Sequence, residues 1–475
     1  MTKLVSALQR HRDMLIVFAV ALGFFSALKL NQYMSFSTTF EPADYELVLW
    51  NTLHGHFLQM PCSTLSFLGE HFSPILLLIL PIYLVAQSPV TLILLHAIGI
   101  SAAVVPLYLL VREFTSLRWP PLAISLAYFL SRTVNYGLMY DIHPEVLYPF
   151  LFFAMFLSIK KQNWRSYYAF LLLSFMIKED VFVATFGLGL FLVSMGQWKH
   201  GLTTSIMSIL CLLVVVRFII PIFQGQAQGS DYRFIAYWSG YGTTQKEVLL
   251  NFLNPMKHLD VIFTAGKLKQ MFNLFSVFVF LPFVSWRAFV FLVLPNWFML
   301  YSSSNSLMNG PIIYYGMLIT PSLFFSSLLG IQSLANKWPK RSVRLFVVLS
   351  SLVFLVQLGN SRIFNQIFKD PWQIPTRYTA TANQMLDLIP PKVAVSAQVN
   401  LISHVPKHPC RSTFPSNLKS VTYIFLDYQG NPWPLTKESY RQLVDSLRNS
   451  SNWKIVEERD ELLLLRSTIA NHSGE

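Results

Sequence analysis

Only 12% of the 475 residues are Asp, Glu, Lys or Arg, about half the share of a soluble chain, while 53% are hydrophobic, which excludes one large soluble globule. The formal charge of +13 sits mainly in short loops between apolar blocks, so it speaks for membrane topology and against a nucleic-acid partner. Three cysteines, Cys62, Cys211 and Cys410, form no metal motif and no disulfide framework, and Cys62 and Cys410 can meet only if both lie outside the cytoplasm.

Lys3, Arg10 and Arg12 precede the first apolar run, as in a signal peptide. No small-x-small cleavage site follows, so residues 14–30 read as an uncleaved helix entering from the cytoplasm. Further spans read as 89–111, 120–135, 144–159, 166–178, 181–197, 202–221, 271–285, 288–301, 312–333 and 344–358. With the N-terminus inside, the cytoplasmic turns carry Arg112 and Arg118; Lys160, Lys161 and Arg165; Lys199; Arg287; and Lys337, Lys340, Arg341 and Arg344. Every such turn is short and basic, as the positive-inside rule requires. Residues 72–86 are apolar but short and hold Pro74 and Pro81. A crossing there would turn every later basic loop outward, so this segment reads as a half-inserted or interfacial helix on the outer side.

The expected fold is mostly α: a polytopic transmembrane bundle of about eleven spans over residues 1–359, with long outer loops at 31–88 and 223–270. Residues 360–475 read as a small soluble α/β domain outside the cytoplasm. Residues 392–398 and 422–428 look like strands, 438–449 like a helix, and WKIVEERD followed by ELLLLRS like a hairpin. No nucleotide fingerprint or phosphate loop occurs in it.

Ionisable residues concentrate in the expected outer turns. Glu41, Asp44 and Glu46 open the first loop, with Trp50 and His54 each one helical turn further on. Such acids act as a general base, hold a divalent cation, or merely cap a helix N-terminus. Glu70 and His71 precede the interfacial segment; Asp141, His143 and Glu145 follow the third span; Lys178, Glu179 and Asp180 fill a tight turn. Ionisable residues at membrane depth are expensive and mark sites. Lys178, His71, His143 or Arg132 suits phosphate oxygens, and an acid suits removal of an acceptor proton.

The runs YELVLWNTLHG, EHFSPILLLILPIY, YDIHPEVLYPFLF and IKEDV, in this order, resemble a prokaryotic family of predicted membrane proteins of unassigned function, grouped with the C-type (GT-C) glycosyltransferase superfamily. The resemblance runs from about Phe36 to Arg466 and takes in IPPKVAVSAQVNLISHV. It implies transfer of a sugar from a polyprenyl phosphate or pyrophosphate at the outer face. It places catalytic acids at Glu41, where the family more often has Asp, and at Glu46; Asp44 has no counterpart. His71, His143, Lys178, Glu179 and Asp180 match the pattern, His71, His143, Lys178 and Asp180 as substrate or phosphate contacts. Glu41, Asp141 and Glu145 are the candidate ligands for a divalent cation, Mg or Mn. A His-Tyr pair often precedes span ten in the family; here Gly310 to Tyr315 holds no His.

The leading reading is therefore a glycosyltransferase of the plasma or inner membrane, taking a lipid-linked sugar donor from the bilayer to an acceptor of unspecified kind. The alternatives are a non-catalytic membrane scaffold or sensor, and a transporter of lipid-linked intermediates.

Overall fold

Prolines and polar turns decide how the apolar blocks become helices in the computed structural model, which describes residues 11–225, 235–310, 313–361 and 377–468. Lys3 and Arg10, the first residue of the expected span 312–333, part of the loop 223–270 and part of the tail after residue 360 lie outside the described residues. Among the described residues, five helices are long and apolar enough to cross a membrane: Arg12–Met34, Pro89–Arg112, Trp198–Gln224, Ile313–Lys337 and Pro339–Asn360. Leu76–Val85, Trp119–Leu130 and Val181–Ser194 are apolar but shorter. Length and composition alone thus support five of these helices as spans and do not confirm the eleven read from the sequence.

Local chemistry explains several interruptions. Proline has no N–H to give to the preceding turn, and π-helical segments Val215–Ile219 and Phe289–Val293 end just before Pro221 and Pro295. Ser131 adopts extended backbone between helices Trp119–Leu130 and Arg132–Met139. Helix Leu76–Val85 has ten residues, with Pro81 inside. At 1.5 Å per residue it rises about 15 Å, half the thickness of the hydrocarbon layer.

The chain forms two compact units. One gathers Met1–Phe25, His71–Ile75 and His96–Pro371; the other gathers Ser26–Glu70, Leu76–Leu95 and Trp372–Glu475. Inside the first, helices Val181–Ser194 and Trp198–Val214 approach so closely that a Cβ on Gly189 would meet Ser205 Oγ at 2.2 Å. Small residues permit this approach, and Thr185 and Ser208 share a hydrogen bond of 2.9 Å across it. Helix Tyr148–Lys160 runs from Glu145 to the basic turn, Trp164–Phe175 returns, and Val181–Ser194 leaves from Asp180. At the basic end, Arg118 Nη2 donates to Asp13 Oδ1 at 2.6 Å, and Lys160 Nζ lies 4.1 Å from the centre of the Phe114 ring. The acidic and histidine-bearing turns occupy the opposite end of these helices.

The second unit is built on a five-stranded sheet: β1 (Val395–Ala397), β2 (Arg411–Thr413), β3 (Tyr423–Asp427), β4 (Trp453–Arg459) and β5 (Leu462–Ser467). Its order is β2-β1-β3-β5-β4. β1 runs parallel to β2 and β3, whereas β5 is antiparallel to β3 and β4. Both faces are covered. Tyr423, Phe425, Leu462 and Leu464 pack with Ala382 and Met385, and with Phe36 and Ala43 from the first long loop. Ile424, Leu426, Leu463 and Leu465 pack against Tyr440, Val444 and Leu447 of helix Lys437–Arg448. Two-sided burial explains the unbroken Leu462–Leu465 run, since a half-exposed strand would alternate. Cys62 and Cys410 form a disulfide in this unit, beside a hydrogen bond from the Cys62 N–H to the Pro409 carbonyl at 2.8 Å.

Candidate functional site

In the first unit, three turns separated in sequence form one polar cluster. Pro144 opens a short 3₁₀ turn that places Glu145 at the foot of helix Tyr148–Lys160. The turn 178–180 joins helices Trp164–Phe175 and Val181–Ser194. Lys178 Nζ lies 2.8 Å from Glu145 Oε1 and 3.9 Å from Asp180 Oδ2. His143 Nδ1 lies 3.5 Å from Glu145 Oε2. The segment His71–Ile75 is pinned by the Ile75 N–H donating to the Met176 carbonyl at 2.9 Å. This holds His71 Nδ1 at 3.1 Å from Glu179 Oε1, while the Phe72 N–H donates to Glu179 Oε2 at 2.9 Å. His71, His143, Glu145, Lys178, Glu179 and Asp180 thus share one constellation.

Tyr314 completes it. Its ring stacks on His143 with centroids 3.4 Å apart, and Lys178 Nζ lies 5.0 Å from its centre. Sequence reasoning gave Tyr314 no role because the His-Tyr pair of the related pattern is missing there. The histidine against Tyr314 comes instead from the loop before Glu145. The signal available was the Tyr-Tyr pair at the expected place.

The cluster is acidic, with one ammonium against the carboxylates of Glu145, Glu179 and Asp180. Burial resists ionisation of Glu179, but the hydrogen bond and charge of His71, with Lys178 nearby, outweigh it and hold this carboxyl below the usual range. Burial pushes Asp180 up to about 6, helped by Glu179 and Glu145 and opposed by Lys178. Such a group exchanges a proton near neutral pH.

A separate cavity of about 230 Å³ in the first unit has a different balance. Arg132, Tyr136, Gln270, Asn273 and Asn360 contribute to its wall, which among the described residues includes no carboxylate. Arg132 Nη2 donates to the neutral Tyr136 Oη at 2.8 Å.

In the second unit, Glu41, Asp44 and Glu46 lie on helix Glu41–Leu53, which Pro42 helps to start. Trp50 and His54 stack one turn apart, with centroids at 3.9 Å. Glu46 is 1% exposed and held from three sides. Arg411 Nη1 donates to its Oε2 at 2.9 Å, Lys407 Nζ lies 3.4 Å from its Oε1, and Tyr83 Oη donates to Oε1 at 3.5 Å. Arg411 also donates to the Ala43 carbonyl. Asp44 is half-buried; burial, with Glu41 and Glu70 beside it, pushes its carboxyl up to about 7 against the pull of Arg411. Arg411, Lys407 and Tyr83 escaped the sequence reading. The nearest signal was the single arginine beside Cys410.

Among the described residues, no three His, Cys, Asp or Glu side chains form a metal cage. Glu145 is engaged by Lys178, and Glu41 belongs to a different unit from Asp141 and Glu145.

Apolar helices closed by polar turns, with a sheet-bearing tail, define an integral membrane protein. Residues 32–464 match the family described as predicted membrane protein (DUF2079), and the chain belongs to that family. No curated protein matches it. Among solved structures it is similar to ArnT from Cupriavidus metallidurans bound to undecaprenyl phosphate, with a TM-score of 0.50 and 10% identity over 97% of this chain and 99% of that one. It is also similar to the arabinofuranosyltransferase AftD from mycobacteria, with a TM-score of 0.47 and 13% identity over 96% of this chain and 40% of that one. The ArnT likeness is one of fold, and it extends along nearly the whole of both chains. The C-type glycosyltransferase resemblance read from the motifs holds at that level.

Proposed function

We propose that the chain is a membrane glycosyltransferase that takes a sugar from a polyprenyl phosphate at the outer face of the membrane. The observation that carries this reading is the end-to-end likeness in fold to ArnT, whose solved structure holds undecaprenyl phosphate. Fold alone does not fix an activity, so the chemistry rests on this chain's own groups. In the reaction, an acceptor oxygen bonds to the anomeric carbon as the bond from that carbon to the phosphate oxygen breaks. The electron pair leaves with the phosphate, and the acceptor proton passes to a base.

Arg132 is the group best suited to the leaving phosphate, because its cavity wall adds no competing negative charge. The Lys178 cluster carries excess carboxylate, so His71, His143 and Lys178 bind phosphate there only with the imidazoles protonated or Asp180 neutral. The resemblance assigns the proton-accepting role to acids of helix Glu41–Leu53, in the second unit, and this role is proposed independently of the one given to Arg132 in the first. Asp44 has a proton affinity matched to neutral pH. Glu41 stands beside it in sequence at the helix start, and Glu46 is the acid that Arg411 orients.

An N-terminus in the cytoplasm and a tail outside it agree with two features. The basic turns lie at one end of the first unit's helices, and the Cys62–Cys410 bond suits an oxidising compartment. The test is transfer of a radiolabelled sugar from polyprenyl phosphate in membranes containing the full chain. Wild type should transfer sugar. Arg132→Met should raise the KM for donor, and Asp44→Asn with Glu41→Gln should lower kcat by about 10²–10⁴-fold. Undiminished transfer by all of these variants would remove the assigned roles. Movement of the donor across proteoliposomes without transfer would replace the enzyme with a transporter.

A further inference from the structure

The second unit contains a cavity of about 1080 Å³ that no step above uses. This is the size of a large small-molecule site. Its charged side chains are of one sign: Asp427, Asp460 and Glu461 contribute carboxylates, Asn400 and Gln429 contribute amides, and among the described residues the wall contains no Lys or Arg. Its floor is fixed in place. Tyr378 Oη and Asn400 Nδ2 donate to Asp427 Oδ2 at 2.7 and 2.8 Å, and the Gln429 N–H donates to Asp427 Oδ1 at 2.9 Å. Behind them, Gln398 Oε1 accepts from the Asp427 N–H and from Tyr440 Oη, each at 2.7 Å. Asn400 Oδ1 is buried and accepts no hydrogen bond, an omission a packed core rarely tolerates. Gly430 keeps the wall low, since a Cβ there would meet Asp427 Oδ2 at 2.7 Å. Beside the rim, Trp433 is 49% exposed, stacks on Phe40 with ring centres 5.0 Å apart, and donates its backbone N–H to Asn431 Oδ1 at 3.1 Å.

We propose that this cavity binds a saccharide that carries no negative charge. Planar carboxylates and amides held rigidly accept and donate to adjacent ring hydroxyls. An exposed aromatic ring such as Trp433, beside the rim, suits the apolar C–H face of a sugar ring. With three carboxylates and no cation among the described residues, the wall disfavours phosphates and acidic sugars and accepts neutral or amino sugars. The site is distinct in residues from those assigned to transfer, and the inference does not depend on the chain being a transferase.

The test measures binding of fluorescently labelled oligosaccharides to the full chain in lipid nanodiscs. The probes are maltotetraose, mannotetraose, a chitosan tetramer, trigalacturonate and a tetra-alanine control. At least one neutral or amino probe should saturate, and neither trigalacturonate nor the peptide should. Asn400→Ala, and Gln429→Trp introduced from an exposed position, should each weaken binding at least about tenfold, with the melting temperature checked to confirm folding. Absence of saccharide binding up to about 10 mM, equal or tighter binding of trigalacturonate or the peptide, or full affinity in folded Gln429→Trp would overturn the assignment. Saturable binding without any sugar transfer would leave this inference standing while removing the transferase; transfer without binding of any probe would do the reverse.

Discussion

Arg411 Nη1 meets Glu46 Oε2 at 2.9 Å, across 365 residues of sequence, with both side chains 1% exposed. A buried pair of this kind gains little over a hydrophobic replacement, but losing one partner strands the other charge, at a cost of about 3–5 kcal/mol. Glu46→Gln or Arg411→Met should therefore lower the melting temperature in detergent sharply, and the double variant should recover part of the loss. A double variant whose loss equals the sum of the two single losses would show that the residues are not coupled.

The Cys62–Cys410 bond ties the same two stretches of chain, 348 residues apart. Closing so long a loop in the unfolded chain should stabilise the second unit by about 3–5 kcal/mol. Reduction, or Cys62→Ser with Cys410→Ser, should lower the melting temperature. Non-reducing electrophoresis of protein alkylated in intact cells should show faster migration than after reduction. A fully alkylatable pair in fresh cells would place these residues in a reducing compartment and reverse the proposed sidedness.

These two links also mark the limit of what the sequence discloses. The helices were legible because apolar length and basic turns are local signals. The strands around Val395, Tyr423 and Leu462 were legible because β-rich runs stand out between turn residues. β2, Arg411–Thr413, was not: three residues carry no period, and only pairing with β1 makes them a strand. Nor does local pattern tell that Ala43 and Phe36 pack with Phe425 and Leu464 in the tail. In the candidate sites, the ionisable turns were visible as clusters of charge, but their partners were not. Tyr314 and Arg411 acquire their roles only through long-range packing, and the cavity around Asp427 is assembled from five separate stretches of chain.

Asp44 gives a pH signature. Its carboxyl is raised from 3.8 to about 7 in the folded protein. Between those values the folded state binds more proton than the unfolded state, so stability falls as pH rises. The contribution is full below the unfolded value and is lost as pH passes through about 7. Melting temperatures of wild type measured from acidic to neutral pH should therefore drop more steeply than those of Asp44→Asn. Sugar transfer should move the other way, rising to a plateau as Asp44 deprotonates. Parallel melting profiles for the two proteins would remove this titration.

The Lys178–Glu145 pair separates support from participation. Both side chains are nearly inaccessible, and each neutralises the other at 2.8 Å. Lys178→Met leaves Glu145 charged and buried, which should cost about 3–5 kcal/mol. Combining it with Glu145→Gln removes both charges and should return most of that stability. Tyr314 and His143 remain stacked in either variant if packing alone holds them. Transfer then decides the role. If Lys178 interacts with the donor phosphate, the refolded double variant stays inactive and Lys178→Arg keeps part of the rate, because a cation is what the phosphate requires. If the double variant recovers transfer along with stability, the pair only positions the turns that carry His71, His143 and Asp180. The chemistry then rests on those side chains and on Arg132.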